Sequence, residues 1–166
     1  MTGDLPADAF QQLTATLDYP MFVVTATANA ERAGCLVGFA TQCSINPLRL
    51  LVCISKRNHT FRVAAHAEML AVHFLAAEDL QLARLFGQET GDATDKFAHC
   101  DWQPGPGGLP ILTGCRGWVA GQVLERLDLG DHVGFLIEPL AGEARNTKPP
   151  QLRFQQVRDL QPGHEA

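Results

Sequence analysis

Residues Ser55 to Thr60 read Ser-Lys-Arg-Asn-His-Thr and follow directly on an apolar run, Leu50-Leu51-Val52-Cys53-Ile54. A buried strand that empties into hydroxyls, two cations and a helix cap is suited to holding an anion. Asn58 is a good N-cap for a helix over His59 to His66, and a helix start offers free backbone N–H groups and a partial positive charge. Ser55 and Thr60 add hydroxyls, and Lys56 and Arg57 add charge, so a phosphate monoester would find several charge-assisted hydrogen bonds there. The same six residues also describe an ordinary capped helix with solvated cations, and the segment alone does not choose between the two. Cys53 lies two residues before Ser55 and so shares its face of the strand.

The segment before this corner is rich in small residues: Gly34-Cys35-Leu36-Val37-Gly38-Phe39-Ala40-Thr41. A Gly- and Ala-bearing strand lets a flat, mostly apolar ligand lie close to the backbone. Around these two segments the pattern is one of strands joined by short turns. Phe10, Leu13 and Leu17 recur at helical spacing within Asp8 to Leu17, and Asp18-Tyr19-Pro20 stops that helix. Met21 to Thr27 reads as a first strand, Ala28 to Gly34 as a charged turn and Gly34 to Thr41 as a second strand. Ser44 to Pro47 is a turn and Leu48 to Ser55 a third, well-buried strand.

Met69 to Leu75 is another buried strand, and Ala77 to Phe86 a helix with acidic residues in its first turn. Gly91 to Phe97 reads as a helical turn and Gln103 to Gly108 as a loop by its Pro and Gly content. Cys115 to Leu127 and His132 to Leu140 are strands flanking a Leu129-Gly130-Asp131 turn. Gln151 to Phe154 reads as a short last strand, and Gln161 to Ala166 as a loose tail. There is no regular βαβ alternation, no GxGxxG and no P-loop, so a doubly wound parallel sheet is not expected. A small antiparallel barrel with inserted helices is.

The chain of 166 residues fits a single domain, 1–166, with its core at about 10–155, and its 46% apolar content supports a packed interior. Its formal net charge is −5, with 13 Lys and Arg against 18 Asp and Glu, which argues against a nucleic-acid-binding face. In this acidic chain Lys occurs only at 56, 96 and 148, which makes the adjacent Lys56-Arg57 pair conspicuous. Met1 to Phe10 lacks the basic start and apolar centre of a signal peptide, and no apolar run approaches the roughly 20 residues of a membrane span. The five cysteines are odd in number and form no CxxC pair. That points to free thiols in a reducing, cytoplasmic setting. His99-Cys100 has no second ligand pair at metal-site spacing, so no metal site is expected. Trp102 and Trp118 are read as core or interface residues.

The ordered set of these features resembles the flavin reductase-like, FMN-binding split-barrel family. The resemblance runs through the Gly-bearing strand, the Ser44-Ile45-Asn46-Pro47 turn and Ile54-Ser55-Lys56-Arg57-Asn58-His59-Thr60. It continues through Ala83-Arg84-Leu85-Phe86, Asp95-Lys96-Phe97, Leu109-Pro110-Ile111-Leu112 and Gly130-Asp131-His132. It implies a mainly β fold, a six-stranded antiparallel split β-barrel, working as a homodimer with FMN or FAD near the subunit interface. It implies flavin reduction by NADH or NADPH, with a monooxygenase as a partner that receives the reduced flavin.

By the same resemblance, Ser55, Lys56, Arg57, Asn58 and Thr60 contact the flavin phosphate and ribityl chain, with Cys53 beside them. Gly38, Phe39, Ala40 and Thr41 border the isoalloxazine, and Phe97 packs near the ribityl chain or ring. His132 sits by the flavin or the nicotinamide as the candidate catalytic residue. Leu36, Gly38 and Phe39 stand where many members carry Thr or Ser. Two other readings remain at this stage: a flavin carrier or sensor of the same fold, and a barrel-shaped interaction domain in which Lys56-Arg57 is plain surface.

Overall fold

The structure, a computed structural model, describes residues 6–88 and 94–160. Its elements in chain order are α1 (Pro6–Thr14), β1 (Phe22–Ala28), β2 (Glu31–Val37), β3 (Ala40–Ser44), β4 (Arg49–Ser55), α2 (His59–Ala64), β5 (Met69–Phe74) and α3 (Leu80–Gln88). After these come β6 (Trp102–Pro104), β7 (Pro110–Leu112), β8 (Gly117–Asp128), β9 (His132–Ala144) and α4 (Phe154–Val157). The fold is mainly β, as expected, and its large sheet is antiparallel throughout, in the order β2-β1-β5-β8-β9-β4-β3.

The two ends of that order are neighbours in the chain: only Gly38 and Phe39 separate β2 from β3. Cys53 N–H donates to the Phe39 carbonyl at 2.8 Å, so the chain changes partner from β1 to β4 without leaving the sheet. Counted as one bent strand, β2 and β3 make six strands around the sheet; counted by pairing they make seven. The Gly38-Phe39 bend divides what reads in the sequence as one strand from Gly34 to Thr41.

Alternate residues of β1, β4, β5 and β9 point into one apolar interior: Val24, Ala26, Val52, Ile54, Leu70, Val72, Phe135 and Ile137 are all buried. Apart from Ala26, each such side chain contributes about 1.5–3 kcal/mol relative to exposure. The opposite face of β1 is covered as well. Val23 packs with Leu75, Ala83, Phe86, Phe97, Leu112 and Leu152, so α3 and the C-terminal segment lie over the outside of the sheet. Burial on both faces explains the unbroken apolar run at Met21 to Val24.

The two-stranded β6–β7 hairpin is pinned to this outer face by buried polar groups. Thr25 Oγ1–H donates to the Pro110 carbonyl at 2.7 Å, and Leu112 N–H donates to His73 Nε2 at 3.0 Å.

Several boundaries differ from the sequence reading. Glu31 and Arg32, read as turn, open β2, because the reversal is confined to Asn29 and Ala30 at φ 53° and 64°. The Pro- and Gly-rich stretch read as loop supplies β6 and a 3₁₀ turn, with β7 directly after it. Gln151 to Phe154 forms two isolated bridges, Ala76 with Gln151 and Pro20 with Arg153, before α4 begins. The expected helical turn near Phe97 is a 3₁₀ turn at Lys96–Ala98, while residues 91–93 and the tail from 161 lie outside the described residues. The helix read at Asp8 to Leu17 runs Pro6–Thr14 and buries none of its residues.

Candidate active site

A mostly apolar trough of ≈ 290 Å³ lies where the β2–β3 bend, α3 and the C-terminal turn meet. One wall is β2 from Cys35 to Val37, continued by Gly38 and Phe39. Phe86 and Gly87 of α3 and Phe154, Val157 and Leu160 from the C-terminus also line it. Cys53, Ser55 and Asn58 line it from β4 and the corner after it. Alternation along β4 places Cys53 and Ser55 on this side together, as their spacing predicts.

One rim is a row of rings. Tyr19 stacks on Phe154 at 4.8 Å and meets Phe39 at 6.0 Å; Phe39 in turn meets His132 at 5.3 Å. Gly38 is required by this row, because a Cβ there would run into the Tyr19 ring. Burial pushes the Tyr19 hydroxyl above its ordinary pKa, so it stays protonated at neutral pH.

The polar end is set by local hydrogen bonds. Asn58 accepts from Thr60 N–H at 2.9 Å as the N-cap of α2, and Ser55 Oγ accepts from Arg57 N–H at 3.3 Å. Desolvation raises the Cys53 thiol, so at neutral pH it is a protonated wall residue rather than a thiolate. His132 is oriented by its neighbour: Nδ1–H donates to Asp131 Oδ1 at 2.7 Å, which leaves Nε2 as the other polar atom of the ring. The hydrogen bond from His132 is the main reason the Asp131 carboxyl titrates below the usual range.

Next to the trough lies a second, polar cleft of ≈ 390 Å³, lined by residues 30–34, His59 and residues 94–97. Lys96, almost fully buried, donates to the Gly34 and Phe86 carbonyls, both at 3.1 Å, and so stands at the seam between the two cavities. His59 Nε2 lies 2.9 Å from Glu31.

The expected site residues divide accordingly. Gly38, Phe39, Cys53, Ser55, Asn58 and His132 are brought together around the trough. Phe97 lines the neighbouring cleft instead, edge-on to Phe86 and Trp102. Ala40 and Thr41 are not part of the trough lining, because the chain has already turned into β3, where the Thr41 hydroxyl bonds the Gln42 carbonyl. Thr60 is drawn inward, buried against the Cys35 thiol, which burial pushes up to about 11.

Lys56 reaches the β8–β9 turn, where Nζ donates to Asp128 at 2.8 Å, and that bond holds the Asp128 carboxyl below its usual range. Arg57 is exposed beside it and outside the lining of both cavities. Tyr19, Arg158 and Leu160 were not singled out by sequence reasoning; they come from the two ends of the chain, and only Tyr19's place beside a predicted strand hinted at a role.

An apolar slot with flat aromatic walls, polar at one end and edged by a fixed imidazole, suits a planar heteroaromatic ring carrying a polar tail. The donors present fit a flavin. Cys35, Leu36 and Val37 of β2 offer the ring an apolar wall, and Ser55 and Asn58 lie at the polar end where a tail would sit. No cluster of three or more metal-ligating side chains occurs among the described residues.

Comparison with known proteins agrees with this reading. Residues 14–161 match the family model described as flavin reductase like domain, and the chain belongs to that family. It is 29% identical over 131 residues to the 4-hydroxyphenylacetate 3-monooxygenase reductase component of Pseudomonas aeruginosa PAO1, covering 78% of this chain and 77% of that one. It is 28% identical to the FMN reductase (NADH) RutF of Acinetobacter baylyi, covering 78% and 69%. The fold superposes on a flavin reductase domain protein from Arthrobacter sp. FB24 with a TM-score of 0.78 at 20% identity, over 86% of this chain and 88% of that one.

Proposed function

We propose that this protein is an NAD(P)H-dependent flavin reductase whose trough holds the flavin ring. The carrying observation is the slot itself: apolar faces from β2 and α3, a polar end at Ser55 and Asn58, and the Phe39–His132 edge. When bound, the flavin accepts a hydride from the nicotinamide. The chain's own task is to stack the two rings and exclude water, which needs position more than proton-transfer groups. Phe39, half exposed on the rim, offers a face against which the nicotinamide can rest. His132, fixed by Asp131, presents Nε2 as a hydrogen-bonding group at that edge.

Gly38, Phe39, Cys53, Ser55, Asn58 and His132 form the proposed contact set. Lys56 and Arg57 act through the field of the corner, and Ala40, Thr41 and Thr60 act through the backbone and packing that shape it. The proposed assembly is a homodimeric split barrel of one domain per chain. It is supported by the β2–β3 closure and by exposed apolar side chains at Ile45, Leu48, Leu129 and Leu140. The similarity to a monooxygenase reductase component supports a partner oxygenase that consumes the reduced flavin. Five free thiols support a cytoplasmic setting, and no helix among the described residues is long and apolar enough to cross a membrane.

The test is NADH oxidation at 340 nm with and without added FMN, alongside the melting temperature in FMN. Flavin-dependent oxidation with a raised melting temperature is expected. A melting temperature and intrinsic fluorescence unmoved by FMN and by FAD overturn the proposal.

A further inference from the structure

The polar cleft beside the trough has no task in holding a flavin ring, yet it continues the same groove. Residues 30–34 line the cleft and residues 35–39 line the trough, so one stretch of chain floors both. At the spacing of extended chain those ten positions cover on the order of 30 Å. The two cavities meet at Gly34-Cys35 on one side and Asn58-His59 on the other. Lys96 fixes a cation at that seam.

Arg32, exposed on β2, lines the cleft with its guanidinium 4.7 Å from the Trp102 ring centroid and 6.0 Å from that of Phe97. A guanidinium held over an indole at this distance keeps N–H groups for a ligand, which suits both a stacked purine and a phosphate oxygen. The nearby carboxylate of Glu31 is engaged by His59.

We infer that the cleft at Arg32 takes the adenosine diphosphate moiety of FAD, so that this protein selects the dinucleotide flavin over FMN. The inference rests on the proposed flavin trough. The isoalloxazine lies in the trough, the diphosphate crosses the seam at Lys96, and the adenine stacks on Arg32, itself backed by Trp102.

Calorimetric titration with FMN and with FAD tests this on the purified wild type, Arg32→Gln and Arg32→Lys. Arg32 is exposed, so both variants keep the fold. The wild type is expected to bind FAD at least about tenfold more tightly than FMN. Arg32→Gln should weaken FAD about tenfold and leave FMN within about twofold, and Arg32→Lys should fall between.

Equal affinity of the wild type for the two flavins overturns the inference. So does an equal loss for both in Arg32→Gln, which makes the cleft a monophosphate site. A raised KM for NADH with flavin affinities unmoved also overturns it, because the adenylate is then that of the hydride donor. If neither flavin binds the wild type, the flavin reading itself fails, a result distinct from all of these.

Discussion

Both ring nitrogens of His73 are committed to backbone groups: Nδ1–H donates to the Val23 carbonyl at 2.9 Å, and Nε2 accepts from Leu112 N–H. The neutral ring is therefore built into the join between β1, β5 and the β6–β7 hairpin. Burial is the main reason its pKa is pushed down to about 4, below the ordinary 6.5. Between those two values the unfolded chain binds a proton that the folded chain does not, so stability rises with pH across that window. The contribution is fully present above pH 6.5 and lost as the pH falls through 4, with a limit of about 3 kcal/mol. Urea unfolding at pH 7.5, 5.5 and 4.5 should show this slope. His73→Leu should be less stable at pH 7.5 by about 2–4 kcal/mol, because it strands two buried backbone groups, and should show a flatter slope. An unchanged slope in that variant removes His73 as its source.

Gly38 makes the same point about residues from another side. In the sequence it stands out as a place where a ligand can approach the backbone; in the structure the space beside it belongs to Tyr19. Gly38→Ala must displace that ring from Phe39 and Phe154. It is expected to lower the melting temperature by several degrees and weaken flavin binding about tenfold. Flavin affinity equal to wild type would show that the aromatic rim does not shape the site.

At the scale of elements, the β8–β9 turn is the part that brings His132 to the trough. Gly130 closes the turn at φ 120°, and its N–H donates to Asp128, which also receives Lys56. Lys56 N–H donates to the Asp131 carbonyl at 2.9 Å, which ties the corner after β4 to the turn. Lys56, expected from sequence to face an anion directly, thus anchors the element that carries the histidine. Asp131→Asn should leave the melting temperature and flavin Kd near wild type. It should cut kcat about ten- to hundredfold by loosening the imidazole. Steady-state kinetics beside a flavin titration checks this, and a variant with wild-type kcat excludes His132 orientation as a requirement.

The strands themselves were legible, because β1, β4, β5 and β9 carry unbroken apolar or alternating runs, and Asn58 announced α2. Less legible were features set by tertiary contact. The bend at Gly38-Phe39 exists because β3 pairs with β4. The β6–β7 hairpin exists because Thr25 and His73 hold its carbonyl and amide. The trough's far wall comes from residues 154–160, more than ninety positions from the motif that announced the site, and nothing local in sequence links the two.

At the scale of the whole molecule, large apolar side chains of the described residues stay exposed in three places. Phe10, Leu13 and Leu17 are exposed at α1 and just after it, Ile45 and Leu48 between β3 and β4, and Leu124, Leu127, Leu129 and Leu140 along β8, β9 and their turn. The last two groups sit on neighbouring parts of one sheet, since β4 and β9 are paired and Arg49 reaches Glu138 at 3.5 Å. Exposed apolar side chains gathered this way mark contact surfaces. A stable self-association of the kind proposed buries about 1,200–2,000 Å² in total. Sedimentation equilibrium at micromolar concentration should therefore return the mass of a dimer. Leu48→Glu combined with Leu140→Glu places charge at two points of the patch without touching the interior, so each chain should stay folded while the assembly dissociates. Because the trough opens at Phe39, close in sequence to the patch at Ile45 and Leu48, separation should also weaken flavin binding. A wild type that sediments as a monomer, or a double variant that remains dimeric with unaltered flavin affinity, would place the contact surface elsewhere and separate the site from the assembly.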